Sequence, residues 1–363
     1  MEEDSTKVIA VLGMHRSGTS VITRGLQVMG VELGNRLMPP FEGNNSKGFW
    51  EDTDINDLNI EMLHSLNSEW HFLTPIQPAD VDRLCTNGYL QRAIELLQAK
   101  TSDAKVFGFK DPRVAKLLPF WKKVFAQGQI DVDYVLVIRH PLSVCESLTK
   151  RDGLDAEKSH LLWLEHVISS LVGTDGENRI LVDYDTFMQT PEAELTRIAK
   201  AFQLSMNAAE LQKFQNEFLD HRLQHTIYQL NDLMLDSQAP PLLQEVYSSL
   251  LGVATGNADL ENPLLRHNVA QWDNAFSGMR SALKLADSLG TKLAAITAER
   301  NALNADRNKL LRERADVRQD ILAKEQTIQK LKTELLVMQQ SRLWRWTRPL
   351  SKLFSWFQRL RGN

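Results

Sequence analysis

The chain has 363 residues, of which 43% are hydrophobic and 24% charged, and a formal net charge of −4 at pH 7. That composition excludes a disordered chain, and the acidic balance argues against a dedicated nucleic-acid binder, so no nucleic-acid partner is expected. Two cysteines in unrelated contexts, Cys85 and Cys145, offer neither a metal-ligand spacing nor a disulfide framework, and the polar start and lack of a long apolar run disfavour secretion and membrane spanning.

In chain order, short continuous apolar runs at 8–12, 106–109, 134–138 and 180–182 read as buried parallel strands. Amphipathic stretches near 18–29, 53–66, 80–99, 114–126, 141–151 and 157–172 read as helices between and after them. Strand alternating with helix predicts an α/β domain with a central parallel sheet flanked by helices. The stretch 185–275 reads as mainly helical and completes a first domain over 1–275.

From about 276 to 340 the composition changes. Leu289, Ile296, Leu303, Leu310, Val317, Lys324, Leu331 and Met338 recur every seven residues. Four residues after the first seven of these stand Leu293, Arg300, Arg307, Arg314, Ile321, Ile328 and Leu335. This heptad seam predicts a coiled-coil helix that joins copies of the chain into a homo-oligomer, with three arginines in one core track that call for acidic partners such as Glu299, Asp306 and Glu313. The tail, 341–363, holds six cations and no acid, so the rest of the chain carries −10. Helical spacing places Leu343, Trp346, Leu350, Leu353, Phe354, Phe357 and Leu360 on one side and Arg345, Arg348, Lys352 and Arg359 on the other. That pattern predicts a helix lying in the headgroup layer of an anionic membrane, and so a cytoplasmic protein peripheral to the membrane's cytoplasmic face.

Chemistry points to the start of the chain. The first strand runs into Gly13-Met14-His15-Arg16-Ser17-Gly18-Thr19-Ser20 and then a helix. A buried strand, a two-glycine loop and a helix N-terminus form a cradle for an anion, with backbone N–H groups and the helix dipole favouring negative charge. The loop departs from the nucleotide-triphosphate pattern G-x-x-x-x-G-K-[ST]: Thr19 stands where the Lys belongs, and the cation has moved to Arg16. The strand at 134–138 ends not in a metal-binding Asp but in Arg139-His140-Pro141. A cation at a strand's C-terminal end reads as a second anion site. Together these features describe a ligand with two separated anionic groups and no required metal.

These residues resemble the sulfotransferases that use 3′-phosphoadenosine 5′-phosphosulfate (PAPS), in particular the bacterial-type, carbohydrate-directed branch. Arg16-Ser17-Gly18-Thr19-Ser20 is similar to the family's 5′-phosphosulfate loop, and Arg139 followed eight residues later by Ser147 is similar to its 3′-phosphate motif. Phe109-Lys110-Asp111-Pro112-Arg113 and Val182-Asp183-Tyr184-Asp185-Thr186-Phe187 resemble further family blocks, so the likeness spans roughly residues 7–230. It implies a P-loop-like domain, PAPS as co-substrate, and a hydroxyl acceptor on a glycan or glycolipid.

The resemblance assigns Arg16, Ser17, Gly18, Thr19 and Ser20 to the phosphosulfate, Arg139 and Ser147 to the 3′-phosphate, and Lys110 to the transferred group. Ser143, one helical turn before Ser147, is a further donor to that phosphate. Lys47-Gly48-Phe49-Trp50-Glu51 is similar to the segment that carries a catalytic Glu in glycan-directed relatives. Glu51 is therefore the first candidate for the base, with Phe49 and Trp50 expected as apolar walls. Glu51 reads equally well as an acid that merely opens the next helix. Asp52, His64 and His71 are the other candidates, with His71 the runner-up. Two alternatives are a P-loop kinase or NTPase, and a coiled-coil scaffold on a degenerate nucleotide fold.

Overall fold

The computed structural model describes residues 7–41, 47–220, 226–341, 350 and 352–358. Four strands, β1 (Lys7–Gly13), β2 (Val106–Lys110), β3 (Asp131–Ile138) and β4 (Arg179–Asp183), form one parallel sheet in the order β2-β1-β3-β4. Each expected strand is present, because full burial on both faces requires the continuous apolar runs seen in the sequence. Alternation sorts β1 cleanly: Val8, Ala10 and Leu12 enter one core, and Ile9 and Val11 the other.

The helices that connect and cover the strands are α1 (Thr19–Leu26), α2 (Thr53–Ser65), α3 (Pro78–Thr86), α4 (Tyr89–Thr101), α5 (Arg113–Gly128), α6 (Pro141–Asp152) and α7 (Ala156–Gly173). The single helix expected over 80–99 is two. Gly88, at φ 86°, takes a left-handed conformation that breaks the run between α3 and α4. After β4 the chain is helical, as expected: α8 (Tyr184–Gln189), α9 (Pro191–Phe202), α10 (Ala208–Lys213), α11 (Leu230–Leu235), α12 (Pro241–Ala254) and α13 (Pro263–Gly278). One face of the sheet packs on residues of α2, α4, α5, α7 and α12, and the other on α1, α8 and α9.

The last long element is α14 (Arg280–Gln340), a 61-residue helix. The chain divides into two compact units, Met1–Ser288 and Leu289–Asn363. The first reaches beyond the boundary expected at 275, because Phe276 and Leu283 are buried in its core. Asp287 fixes the same stretch: it accepts from the Leu73 and Thr74 amides at 2.8 and 2.9 Å and from the Thr74 hydroxyl at 2.6 Å. In the second unit, the α14 residues of the seam are exposed. Of the tail, residues 352–358 are helical, with Leu353, Phe354, Trp356 and Phe357 exposed, while Leu343, Arg345, Trp346, Arg348, Arg359 and Leu360 lie outside the described residues. Among the described residues no helix is long and apolar enough to cross a membrane.

Candidate functional site

The sheet order creates the site. From β1 the chain goes to the edge strand β2 and returns to β3 on β1's other side, so the connections diverge at the C-terminal ends of β1 and β3. A crevice opens at such a switch point. The loop after β1 enters it in a strained form, with Arg16 at φ 70° and Gly18 at φ 82°. Gly18 has no room for a side chain: a Cβ there would lie 1.9 Å from Cδ2 of Tyr184. A Cβ on Gly13 would lie 2.7 Å from the Val137 carbonyl oxygen, so both glycines permit a close approach of backbone. The loop then delivers residues 18–20 and the N-terminus of α1 to the cleft.

The two expected anion-binding elements meet here. Arg16 Nε donates to Ser147 Oγ at 2.7 Å, and Arg139 Nη1 donates to the Arg16 carbonyl at 3.2 Å. Arg139 also lies over the Tyr184 ring, 4.6 Å from its centroid. Burial, with Arg151 and Arg139 nearby, lowers the Arg16 pKa. Ser17 Oγ, Ser143 Oγ and Arg139 Nε are buried with no hydrogen-bond partner among the described residues. Such groups are costly unless something bonds to them. Of the remaining loop residues, Thr19 turns its methyl toward Gly13, and Ser20 Oγ donates to the Phe49 carbonyl at 2.9 Å.

Glu51 and Asp52 are neighbours with different tasks. Asp52 caps α2, accepting from the Asp54 and Ile55 amides at 3.0 and 3.2 Å, and pairs with Lys100 at 2.7 Å. Glu51 is buried in the cleft wall. It accepts from Lys110 Nζ at 2.6 Å and from Asn56 Nδ2 at 2.9 Å. Lys110 also reaches Ser20 Oγ at 3.3 Å, tying the carboxylate to the anion loop. Burial pushes the Glu51 pKa up, opposed by Lys110. The helix-opening role therefore belongs to Asp52, and Glu51 lines the cleft.

The apolar walls differ from expectation. Phe49 lines the cleft, but Trp50, at φ 56°, turns away and packs against Phe218 and Arg24. His71 does not line the cleft; it sits between Trp70 and Phe72, and burial lowers its pKa. His64 is exposed beside Glu69. Asp111 and Arg113 pin the turn after β2: Asp111 Oδ1 accepts from the Arg113 amide and guanidinium, both at 2.9 Å. Asn59 holds Asp111 Oδ2 at 2.9 Å.

Three cleft residues escaped the sequence reading as ligand-facing groups. His15 lines the cleft with Nε2 buried and without a partner among the described residues; burial, together with Arg113 and Arg151, pushes its pKa well below the usual histidine value. Its place beside Arg16 in the loop was the available signal. Arg151, over Trp70 at 5.3 Å, comes from the end of α6, where a basic residue reads as ordinary helix termination. Tyr184 packs against Gly18 of the anion loop, far from it in sequence.

This parallel sheet order, with a two-glycine loop after β1 and an arginine at the end of β3, defines a P-loop-like α/β fold. The chain matches the profile of the sulfotransferase family over residues 9–208, and it belongs to that family. Solved structures similar in fold include the sulfotransferase domain of the Synechococcus PCC 7002 olefin synthase, at 15% identity and a TM-score of 0.36, covering 71% of this chain and 98% of that one. Sulfotransferase STF1 from Mycobacterium tuberculosis H37Rv is 14% identical, with a TM-score of 0.36, covering 68% of this chain and 77% of its own. Mouse sulfotransferase SULT7A1, solved with PAP, is 12% identical, with a TM-score of 0.34, covering 72% and 89%. No curated protein sequence matches the chain.

Proposed function

We propose that this sulfotransferase uses PAPS to sulfate a hydroxyl of a carbohydrate or glycolipid. The observation that carries the reading is the cleft itself, where Arg16, Lys110, Arg139 and Arg151 converge beside buried serine hydroxyls that have no hydrogen-bond partner among the described residues. The residues present suit a donor with two anionic groups. Arg16 and the loop 17–20 would hold the phosphosulfate, and Arg139, Ser143 and Ser147 the 3′-phosphate. Burial first, and then repulsion from Arg151 and Arg139, lowers the Arg16 pKa, and an anion between the three arginines would relieve that repulsion.

Bound there, the donor supplies a sulfuryl group activated by its bond to phosphate. Glu51 accepts the proton of the acceptor hydroxyl, and Arg16 with the helix N-terminus meets the charge left on the phosphate oxygen. Lys110 stands between Glu51 and Ser20, positioned to face the group in transfer. Phe49 offers an apolar face for a sugar ring, which supports the carbohydrate reading. The kinase alternative is less favoured because Thr19 stands at the lysine position of the loop and β3 ends in Arg139 where a metal-binding Asp would belong.

Calorimetry tests the donor. The wild type should prefer adenosine 3′,5′-bisphosphate over 5′-AMP, and Arg139→Ala should remove roughly 1.5–3 kcal/mol of that preference. Equal affinity of the wild type for both nucleotides would end the two-phosphate reading. Transfer from labelled PAPS to a panel of glycans identifies the acceptor, and incorporation into none of them counts against a carbohydrate.

The basic, aromatic tail supports a place at the cytoplasmic face of an anionic membrane. Full-length protein should co-sediment with anionic vesicles, release partly at high salt, and bind neutral vesicles poorly. A chain ending at Gln340 should stay in solution; equal binding by that truncation would remove the tail as anchor.

A further inference from the structure

Sulfuryl transfer leaves α14 without a task, and its seam holds a second pattern. With Leu289 at heptad position d, position a holds Leu293, then Arg300, Arg307 and Arg314, then Ile321. The residue immediately before each core arginine, at position g, is an acid: Glu299, Asp306 and Glu313. All lie on one continuous, exposed helix. The remaining core cation, Lys324, is met within its own helix by Asp320 at 2.6 Å.

We infer that this face binds a second copy of the chain as a parallel, in-register, two-stranded coiled coil, with the register set by the three acid–arginine layers. In such a pair, a residue at a enters a hole formed by the preceding d and g and by the a and d of the facing strand. The rim of the hole for Arg300 is therefore Glu299 of the second copy. The same relation joins Arg307 to Asp306 and Arg314 to Glu313. Each arginine stem covers the seam while its guanidinium leaves the core toward a carboxylate.

The occupant is a second copy because one helix carries both halves of every pair at a one-residue offset, which is self-complementary under a two-fold axis. An antiparallel pair with aligned midpoints sets g against g, and brings Glu299, Asp306, Glu313 and Asp320 of the two strands together. A third strand encloses the guanidiniums and adds like charges to each layer. The apolar layers beyond, at Leu293, Ile321, Ile328, Leu331 and Leu335, supply affinity, and the charged layers supply alignment.

The experiment uses the full chain at micromolar concentration. Sedimentation equilibrium should give a dimer. Leu331→Cys should form an intermolecular disulfide under mild oxidation, with the parent, which has only Cys85 and Cys145, as the control. Antiparallel strands with aligned midpoints would hold the two new thiols on the order of 60 Å apart. Reversing Glu299, Asp306 and Glu313 to Lys should weaken dimerisation on the order of a hundredfold. Adding Arg300→Glu, Arg307→Glu and Arg314→Glu to that variant should restore it, which keeps the result readable if the first set disturbs the helix. A monomer, a trimer, no cross-link at 331, or undiminished association of the Lys variant overturns the inference.

Discussion

At Glu51 and Asp52, two adjacent carboxylates are separated in function by the backbone between them and their surroundings. Trp50 takes a left-handed turn just before them, Asp52 bonds the first amides of α2, and Glu51 is directed to Lys110. Burial raises the Glu51 pKa and Lys110 lowers it, with burial the larger effect. As a base, Glu51 must be ionised, so kcat/KM should fall as pH drops through its pKa. That acid limb should lie at higher pH than an ordinary glutamate would place it. Lys110→Met removes the opposing influence and should move the limb to still higher pH, whatever it does to the rate. Glu51→Gln should reduce turnover about 10²–10⁴-fold while leaving nucleotide affinity in place. A limb that stays put in Lys110→Met would assign the titration to another group.

Among the elements, the junction of β4 and α8 carries a hidden cost. Asp183 ends the strand and caps the helix, with Oδ2 accepting from the Thr186 amide at 2.8 Å and from its hydroxyl at 3.0 Å. Oδ1 is buried without a partner among the described residues, and burial pushes the pKa up to about 6. A carboxyl whose folded pKa is raised stabilises the fold at pH values below its unfolded pKa, and that stability is lost as pH rises through the folded one. Asp183→Asn keeps a cap acceptor and cannot ionise. It should therefore raise stability at pH 8 by up to about 3 kcal/mol, with the gain fading toward pH 4. Thermal melts of both proteins across that range measure it, and an Asn variant less stable at pH 8 would contradict the account.

For the molecule as a whole, the important boundary is where the first unit stops. Phe276, Leu283 and Asp287 belong to it, and Asp287 is the only contact among these made by a charge, satisfied by the two backbone amides at 73 and 74. A chain ending at Ser288 should melt as the first unit does in the intact protein and retain nucleotide binding. One ending at 275 loses two buried apolar side chains and the Asp287 bonds, and its melting temperature should fall by at least about 10 °C. Equal melting of the two truncations would return the boundary to 275.

The strands, their parallel order of burial and the anion loop were legible in sequence because each depends on neighbours close along the chain: a continuous apolar run, two glycines at fixed spacing, a cation inside the loop. The places of Arg139 at a strand end and of Ser147 on the following helix were legible as a spacing of eight residues, but the bond that Ser147 makes is to Arg16. Other features depended on partners far apart in sequence. Glu51 was the first candidate from the sequence, but that Asp52 rather than Glu51 opens α2, and that Glu51 meets Lys110 from 59 positions away, depended on the fold. Trp50 was expected beside the base and is turned elsewhere by a single backbone angle. Arg151 and Tyr184 became cleft residues only when α6 and the start of α8 were brought to the loop after β1. Local pattern determines the elements and the backbone form of the two-glycine loop, because those follow from backbone geometry and side-chain period. Which charged groups face one another across the cleft is decided by the sheet order, because that alone brings the ends of β1, β2 and β3 together.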